Sequence, residues 1–374
     1  MKKILLSAVF LLIQNVVRAA DFYSVDWDNV PEFSNKADFA KYILKCESHC
    51  QEIIPVVFLG DSFMDLEEFL KIAKNTQQAK MSWLNDDDGK FVLVLYETKI
   101  YPGAKVAHAY LTGDTSILSA DEMQLYDAAV HIVEKVNYNH PTDLLKELLI
   151  HDEIANRVSY VEVEFGEEIS RANNALGAII DGKAGCQGYA DAFYMLGRMC
   201  GFNVGKIQGT LNNDSHVWNT IEFGGKYYGV DVTVNDDFFK AGSNNYFYFN
   251  APLEIMQVKH KWDSAYAPAL QPTIDDKYFY FAQEFWDTRG KYFGFHSNTA
   301  EDALDYIAQR AVKQGFRFSW GISPLDADCA DMNFATNRLQ DILTDKYNFP
   351  AHVDLAVVRR GNWLFYFADI TAKH

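Results

Sequence analysis

The sequence predicts an α+β protein, with a central unit of helices packed on an antiparallel sheet and two small α+β units flanking it. Three observations carry that expectation. At 374 residues the chain exceeds one ordinary core, so two or three packed units are expected. Hydrophobic residues make up 49% and aromatics 15%, a composition that folds rather than stays disordered. Two distant segments also share one order of elements, helix, strand, helix, strand, strand, on either side of a stretch where helical periodicity gives way to strands.

The first element, MKKILLSAVFLLIQNVVRAA (1–20), reads as a cleaved export leader. It has cations at Lys2 and Lys3, an apolar run over 4–12, and small residues at Ala19 and Ala20, where cleavage is expected. Gln14, Asn15 and Arg18 interrupt the run before the ~20 apolar residues a span needs, and no later segment is long and apolar enough. The expected product is secreted or periplasmic, in the cell envelope, with no membrane span. The formal net charge of -17 becomes more negative once the leader cations leave, and such a surface repels phosphate backbones. Nucleic acid is therefore not an expected partner.

Residues 21–115 form the first flanking unit. SNKADFAKYILKCESHC reads as a helix capped at Ser34 and Asn35, IIPVVFLG as a strand, SFMDLEEFLKIAK as a helix, and KMSWLNDDDGKFVLVLYE as a hairpin turning at Asp88 and Gly89. Residues 271–374 repeat the layout. SNTAEDALDYIAQRAVKQG is capped at Ser297 and Asn298, FRFSWGI is a strand, NFATNRLQDILTDKY a helix, and HVDLAVVRRGNWLFYFADI a hairpin turning near Gly361. Each copy would bury one sheet face under two helices. In the central unit, 116–270, SADEMQLYDAAVHIVEKV and PTDLLKELLIHDEIANRVSY are helices, the second opening at Pro141, Thr142 and Asp143. The runs GKIQGTL, HVWNTIEF and KYYGVDVTV follow as strands.

Five cysteines are present, and an odd number in an oxidising compartment leaves at least one thiol free. Cys46 and Cys50 either bridge or simply share a helix. With His49 between them they offer too few ligands for a metal site, and no metal is expected elsewhere. Cys200 reads as buried filler, and the acids around Cys329 in DADCAD should keep that thiol protonated.

Cys186 is different, because it stands between Gly185 and Gly188 where KAGCQGYADAFYMLGRMC turns helical. Ala190, Phe193, Leu196 and Gly197 recur at helical spacing, with Ala192, Met195 and Met199 widening the face. The thiol then sits at a helix start, where unpaired N–H groups and the helix dipole favour an anion. A hairpin centred on Gly224 and Gly225 pairs Phe223 with Lys226, Trp218 with Asp231 and His216 with Thr233. Alternation puts these last four side chains on one face, so His216 and Asp231 become diagonal neighbours. A carboxylate on one imidazole nitrogen fixes the tautomer and leaves the other free for a thiol proton. Cys186, His216 and Asp231 would form a triad if the helix docks there.

The motifs GKAGCQGYADAF, SHVWN and KYYGVDVTVND, in that order, closely resemble the transglutaminase-like superfamily, a papain-like group. The likeness extends to LLIHDEIANRVSY and NNALGAIIDGK, similar to the helix and approach loop of its bacterial members, and to NNYFYFNAPLEIMQVKHKW, covering 118–262. The resemblance implies a catalytic triad of Cys186, His216 and Asp231. Val234 stands where many relatives carry Trp, which alters the cleft rim. The Cys186 N–H is the expected oxyanion donor, with Gln187 or a side chain of the loop before it as second candidates. Tyr189 and Trp218 are candidate cleft walls, His151 a structural helix residue, and Asn235 to Asp237 a solvated turn rather than a calcium loop.

The expected function is a secreted thiol enzyme, a cysteine peptidase or amidase working through a Cys186 thioester on a peptide or protein substrate of the envelope or extracellular space. It asks for no cofactor. Transfer of the same acyl group to an amine, as in a protein-glutamine transglutaminase, is the alternative. A non-catalytic scaffold is the third reading.

Overall fold

The computed structural model describes residues 22, 24–85, 90–139, 141–163, 170–237, 246–274, 278–279, 299–314 and 318–373. The leader, the turn at Asp88 and Gly89, and the caps at Ser297 and Asn298 lie outside the described residues.

The first segment runs β1 (Glu32–Phe33), α1 (Lys36–Ser48), β2 (Ile53–Leu59), α2 (Leu66–Ile72), β3 (Thr76–Asn85) and β4 (Phe91–Ile100). Asn35 and Asp65 start the two helices, their side chains accepting from Asp38 N and Glu68 N. The strand order is β1-β2-β4-β3, with β1 parallel to β2 and the other pairs antiparallel. Ile54, Val56, Phe58, Val94 and Tyr96 alternate along β2 and β4 onto one face. They pack there against Phe39 and Ile43 of α1 and Phe69 of α2.

The central stretch continues through α3 (Pro102–Thr112), α4 (Ala120–Asn137), α5 (Asp143–Arg157), the short parallel pair β5 (Ser159–Tyr160) and β6 (Lys183–Ala184), and α6 (Cys186–Met199). Strands β7 (Val204–Leu211), β8 (Asp214–Phe223) and β9 (Lys226–Val230) follow, then α7 (Val232–Asp237), α8 (Leu253–Met256) and β10 (His260–Lys261). Ser119 and Glu122 close a capping box on α4, and Thr142 caps α5 as its sequence predicts. The antiparallel sheet is ordered β10-β7-β8-β9.

Helix α6 lies at the middle of this core. Phe193, Met195, Leu196 and Met199 share one cluster with Val106 of α3, Leu125 and Ile132 of α4, Ile150 and Ile154 of α5, and Ile221, Tyr228 and Val230 of the sheet. Each such buried side chain contributes ~1.5–3 kcal/mol of transfer free energy, so the helix carrying Cys186 is held on all sides.

The β8–β9 hairpin has the predicted register at its turn, with Phe223 opposite Lys226 and Glu222 opposite Tyr227. Gly224 and Gly225, at φ 59° and 78°, supply the left-handed pair that a two-residue turn of this kind requires. The strand then stops at Val230, four residues short of the expected end, so Trp218 does not pair with Asp231 nor His216 with Thr233. The reason is local. The Asp231 carboxylate accepts from Val234 N at 3.1 Å and its carbonyl from Asn235 N at 3.1 Å, an N-cap that starts α7 instead of prolonging β9.

The last segment holds α9 (Ala300–Gln314), β11 (Phe318–Pro324), α10 (Met332–Asp341), β12 (Ala351–Arg360) and β13 (Trp363–Ala372), with strand order β11-β13-β12. Thr299 Oγ1 accepts from Asp302 N at 3.1 Å to start α9. Gly361, at φ 57°, turns the final hairpin. In both outer segments the last strand lies between the two before it and pairs antiparallel with each. No helix among the described residues is long and apolar enough to cross a membrane.

Candidate active site

Cys186 is the first residue of α6, with Gly185 at the N-cap. The N–H groups of Gly188 and Tyr189 both return to Gly185 O, at 2.9 and 3.2 Å, which leaves those of Cys186 and Gln187 outside the helix's own ladder. A Cβ on Gly188 would lie 2.6 Å from Ala172 O and 2.8 Å from the Ala184 side chain, so the approach loop can wrap the first turn only because this residue is glycine. The helix is also fixed at its middle. Asp191 Oδ2 accepts from Gly103 N (2.9 Å) and Ala175 N (3.0 Å), while Oδ1 takes the Lys206 ammonium at 2.7 Å.

Sequence periodicity alone could not show that α6 meets the sheet, and Asn219 of β8 makes the connection. Its Nδ2 donates to Ala190 O at 3.0 Å and to Gly205 O at 3.1 Å. Ala190 is one turn after Cys186, so this bond draws the helix start towards His216 three residues earlier on β8. The Cys186 thiol lies close enough to the His216 ring to make it more basic. The ring's Nε2 is 2.7 Å from Asp231 Oδ2, leaving Nδ1 for the sulfur. Cys186, His216 and Asp231 are therefore brought together.

Burial alone would make the His216 ring less basic, but the Asp231 charge and hydrogen bond, with a smaller contribution from Cys186, outweigh it and raise its pKa to about 10. Burial likewise opposes ionisation of Asp231, yet His216 and His260 hold its carboxyl well below the usual carboxylate range. Burial pushes Cys50 up to about 12 and Cys200 and Cys329 up to about 11, the last helped by Asp326 and Glu301. All five cysteines are free thiols, Cys46 and Cys50 included.

The secondary candidates fare unevenly. Trp218 is 1% exposed and stacks beneath His216, with centroids 6.0 Å apart and planes at 22°, so it supports the imidazole rather than walling an open cleft. Tyr189 is fully buried, and its hydroxyl meets Val158 O at 3.2 Å and the Asp236 carboxylate; it lines no open surface. Gln187 is buried beside the thiol, and its Nε2 has no hydrogen-bond partner among the described residues. Val234 is half-buried at the edge of the cluster that includes Trp218.

The segment Asn235 to Asp237 is not a solvated turn. Asn235 is fully buried, its Oδ1 accepting from Tyr248 N at 3.0 Å and its Nδ2 lying 2.9 Å from His151 Nε2. The cap at Asp231 carries this stretch into helix α7. His151, also fully buried, has Nδ1 3.1 Å from Asp152 Oδ1, so it braces α7 from below.

One residue at the site escaped the sequence reading. His260 of β10, fully buried, places Nε2 2.8 Å from Asp231 Oδ2, the oxygen that also meets His216. Strand β10 delivers it by pairing with β7, His260 opposite Leu211, 29 residues beyond Asp231. A Cβ on Gly209 would run into Lys261 O and the Trp218 ring, so glycine there lets the strand and the indole close up. No local pattern announces this placement, which depends on a long-range strand pairing.

His216, Asp231 and His260 are the residues whose donor atoms cluster within 4.8 Å, among those described. Their N···O distances of 2.7 and 2.8 Å are hydrogen-bond lengths. Ligands about 2.0 Å from a tetrahedral zinc ion would stand roughly 3.3 Å from one another, so the set is shaped for shared protons.

Residues 130–232 match the transglutaminase-like superfamily. Among solved structures the chain is similar to a TGase (12% identity, 58% of this chain and 64% of that one, TM-score 0.29). It is also similar to a candidate cysteine protease from Cytophaga hutchinsonii (14%, 42% and 62%, 0.24). A third likeness is to a candidate protease from Parabacteroides distasonis ATCC 8503 (9%, 86% and 66%, 0.29). The chain spans less than two thirds of each of these three structures. No curated protein matches it.

Proposed function

We propose that this chain, whose residues 130–232 belong to the transglutaminase-like superfamily, is an exported thiol enzyme that cleaves peptide or side-chain amides through a thioester on Cys186. The observation that carries the reading is the 2.7 Å bond from His216 Nε2 to Asp231, with the Cys186 thiol against the same ring. Nδ1 of His216 takes the thiol proton, and the sulfur attacks the amide carbonyl. In this reading the N–H of Cys186 at the helix start receives the developing oxyanion, and the Nε2 of Gln187, without a partner among the described residues, is a second donor. As the tetrahedral intermediate collapses, the C–N bond breaks and His216 returns the proton to the leaving amine. Water, deprotonated by His216, then attacks the thioester and frees the acid and the thiol. Residues 116–270 form the working unit in this reading, with 21–115 and 271–374 as flanking units and a peptide or protein of the envelope or extracellular space as substrate.

The burial of His216 favours a second reading, transfer of the acyl group to an amine, because a site closed to bulk water protects a thioester for another nucleophile. Incubation with casein and a fluorescent amine separates the two: peptide fragments support hydrolysis, and amine incorporation supports transfer. Both must vanish in Cys186→Ala. Should Cys186 alkylate with iodoacetamide at mildly acidic pH no faster than Cys200 or Cys329, the thiol-enzyme reading fails and a binding scaffold is left.

A further inference from the structure

Asp231 serves two imidazoles through one oxygen, and the second ring has no part in the three-residue scheme. Each nitrogen of His260 faces an acceptor. Nε2 is 2.8 Å from the Asp231 carboxylate, and Nδ1 is 3.2 Å from the backbone carbonyl of Met256. A carbonyl oxygen carries no proton to give, and an ionised carboxylate carries none either. Both contacts are hydrogen bonds only if both ring nitrogens bear hydrogen.

We propose that His260 is a buried imidazolium that acts as a positioning residue, holding Asp231 Oδ2 in place and sharing its charge with His216. The inference rests on the thiol-enzyme reading for its functional consequence, but not for the protonation itself. During turnover the site then alternates in sign: Cys186 thiolate, His216 cation, Asp231 anion, His260 cation. The groups facing His260 are Asp231 from the β9–α7 junction, His216 from β8 with Cys186 beyond it, and the rings of Trp218 and Tyr248, whose centroids lie 4.8 and 4.7 Å away. On its own strand, Lys261 points elsewhere, its Nζ on Asn213 Oδ1 at 3.0 Å, and Lys259 precedes it in sequence.

A fixed cation near two titrating groups makes both release their protons at lower pH. With ring centroids of His216 and His260 5.9 Å apart, and an effective dielectric of about 20, one unit charge moves a titration by about two pH units. Replacing His260 by Gln keeps a donor for Asp231 and removes the charge. Both inflections in the pH dependence of Cys186 alkylation should therefore move up, by one to two pH units. A neutral histidine that merely packed there would leave them unmoved.

The full chain, labelled with 15N at histidine and assigned by through-bond and through-space correlation to the neighbouring Lys259 and Lys261 backbone, gives the second readout. Two protonated nitrogens on His260 at neutral pH are expected, and a single protonated nitrogen would overturn the proposal even if the Gln variant failed to fold. A folded His260→Gln protein whose inflections stay within a few tenths of a pH unit would overturn it as well. If wild-type Cys186 proves sluggish, the thiol-enzyme reading falls by itself, and the nitrogen spectrum still decides the state of His260.

Discussion

Asp231→Asn isolates the electrostatic part of the site. The asparagine oxygen still caps α7 through Val234 N, so the backbone should hold, while the negative charge against His216 is gone. With charge centres about 4 Å apart and an effective dielectric of about 20, that charge is worth ~4 kcal/mol, or ~3 pH units. The ring, now raised to about 10, should fall towards neutrality, since burial is then opposed only by the smaller contribution of Cys186. An amide N–H turned towards Nε2 would also move the ring proton to Nδ1, where it blocks acceptance from the thiol. The assay is the rate of iodoacetamide alkylation at Cys186, followed by peptide mapping between pH 6 and 8; a loss of at least tenfold is expected. Stability gives an independent sign. A ring whose pKa rises from about 6.5 unfolded to about 10 folded stabilises the protein fully below pH 6.5 and loses that contribution as pH climbs to about 10. Wild-type protein should therefore shed a few kcal/mol of urea stability over that window, and Asp231→Asn should lack the slope. Alkylation within twofold of wild type, by a variant with an unchanged near-ultraviolet spectrum, would refute the reasoning.

Gly188→Ala forces a methyl onto Ala172 O and Ala184, and should cost ~1–3 kcal/mol in urea unfolding while slowing Cys186 alkylation, because the first turn of α6 must shift. Unchanged stability would show that the approach loop yields freely. Asn235→Ala removes the partners of His151 Nε2 and Tyr248 N, both buried, and should cost ~2–3 kcal/mol by differential calorimetry, with Cys186 alkylation slowed only in part. A neutral result would mean that α7 stands without that brace.

Much of this was legible in the residues because the signals were short-range. Helix α6, its buried face and its glycine-cushioned start follow from spacing over fourteen positions, and the Gly224–Gly225 turn fixed which residues of β8 and β9 face one another. The same register ends sooner than its pattern implies at Asp231, where an Asp three residues before a free N–H is as good a helix cap as a strand member, and the cap prevailed. His216 and Asp231 meet all the same, because the carboxylate reaches back across the end of the sheet. Tyr189 and Asn235 were misplaced for a related reason: whether an aromatic or a polar side chain is outside depends on the path of α7, which the pattern did not reveal. His260 and the docking of α6 through Asn219 are tertiary facts, set by strand pairing and by a single amide, with no periodic trace.

The anchorage of Asp191 bears on how the molecule can be cut. A fragment beginning at 116 would lack Gly103, whose amide feeds that carboxylate, and Tyr101, whose ring covers the Lys206 ammonium at 4.2 Å. It would also strip Val106 from the core around the thiol-bearing helix. Any minimal recombinant version must begin upstream of Tyr101, or it will carry the Asp191–Lys206 ion pair stripped of one hydrogen bond and of its aromatic cover behind the nucleophile's helix.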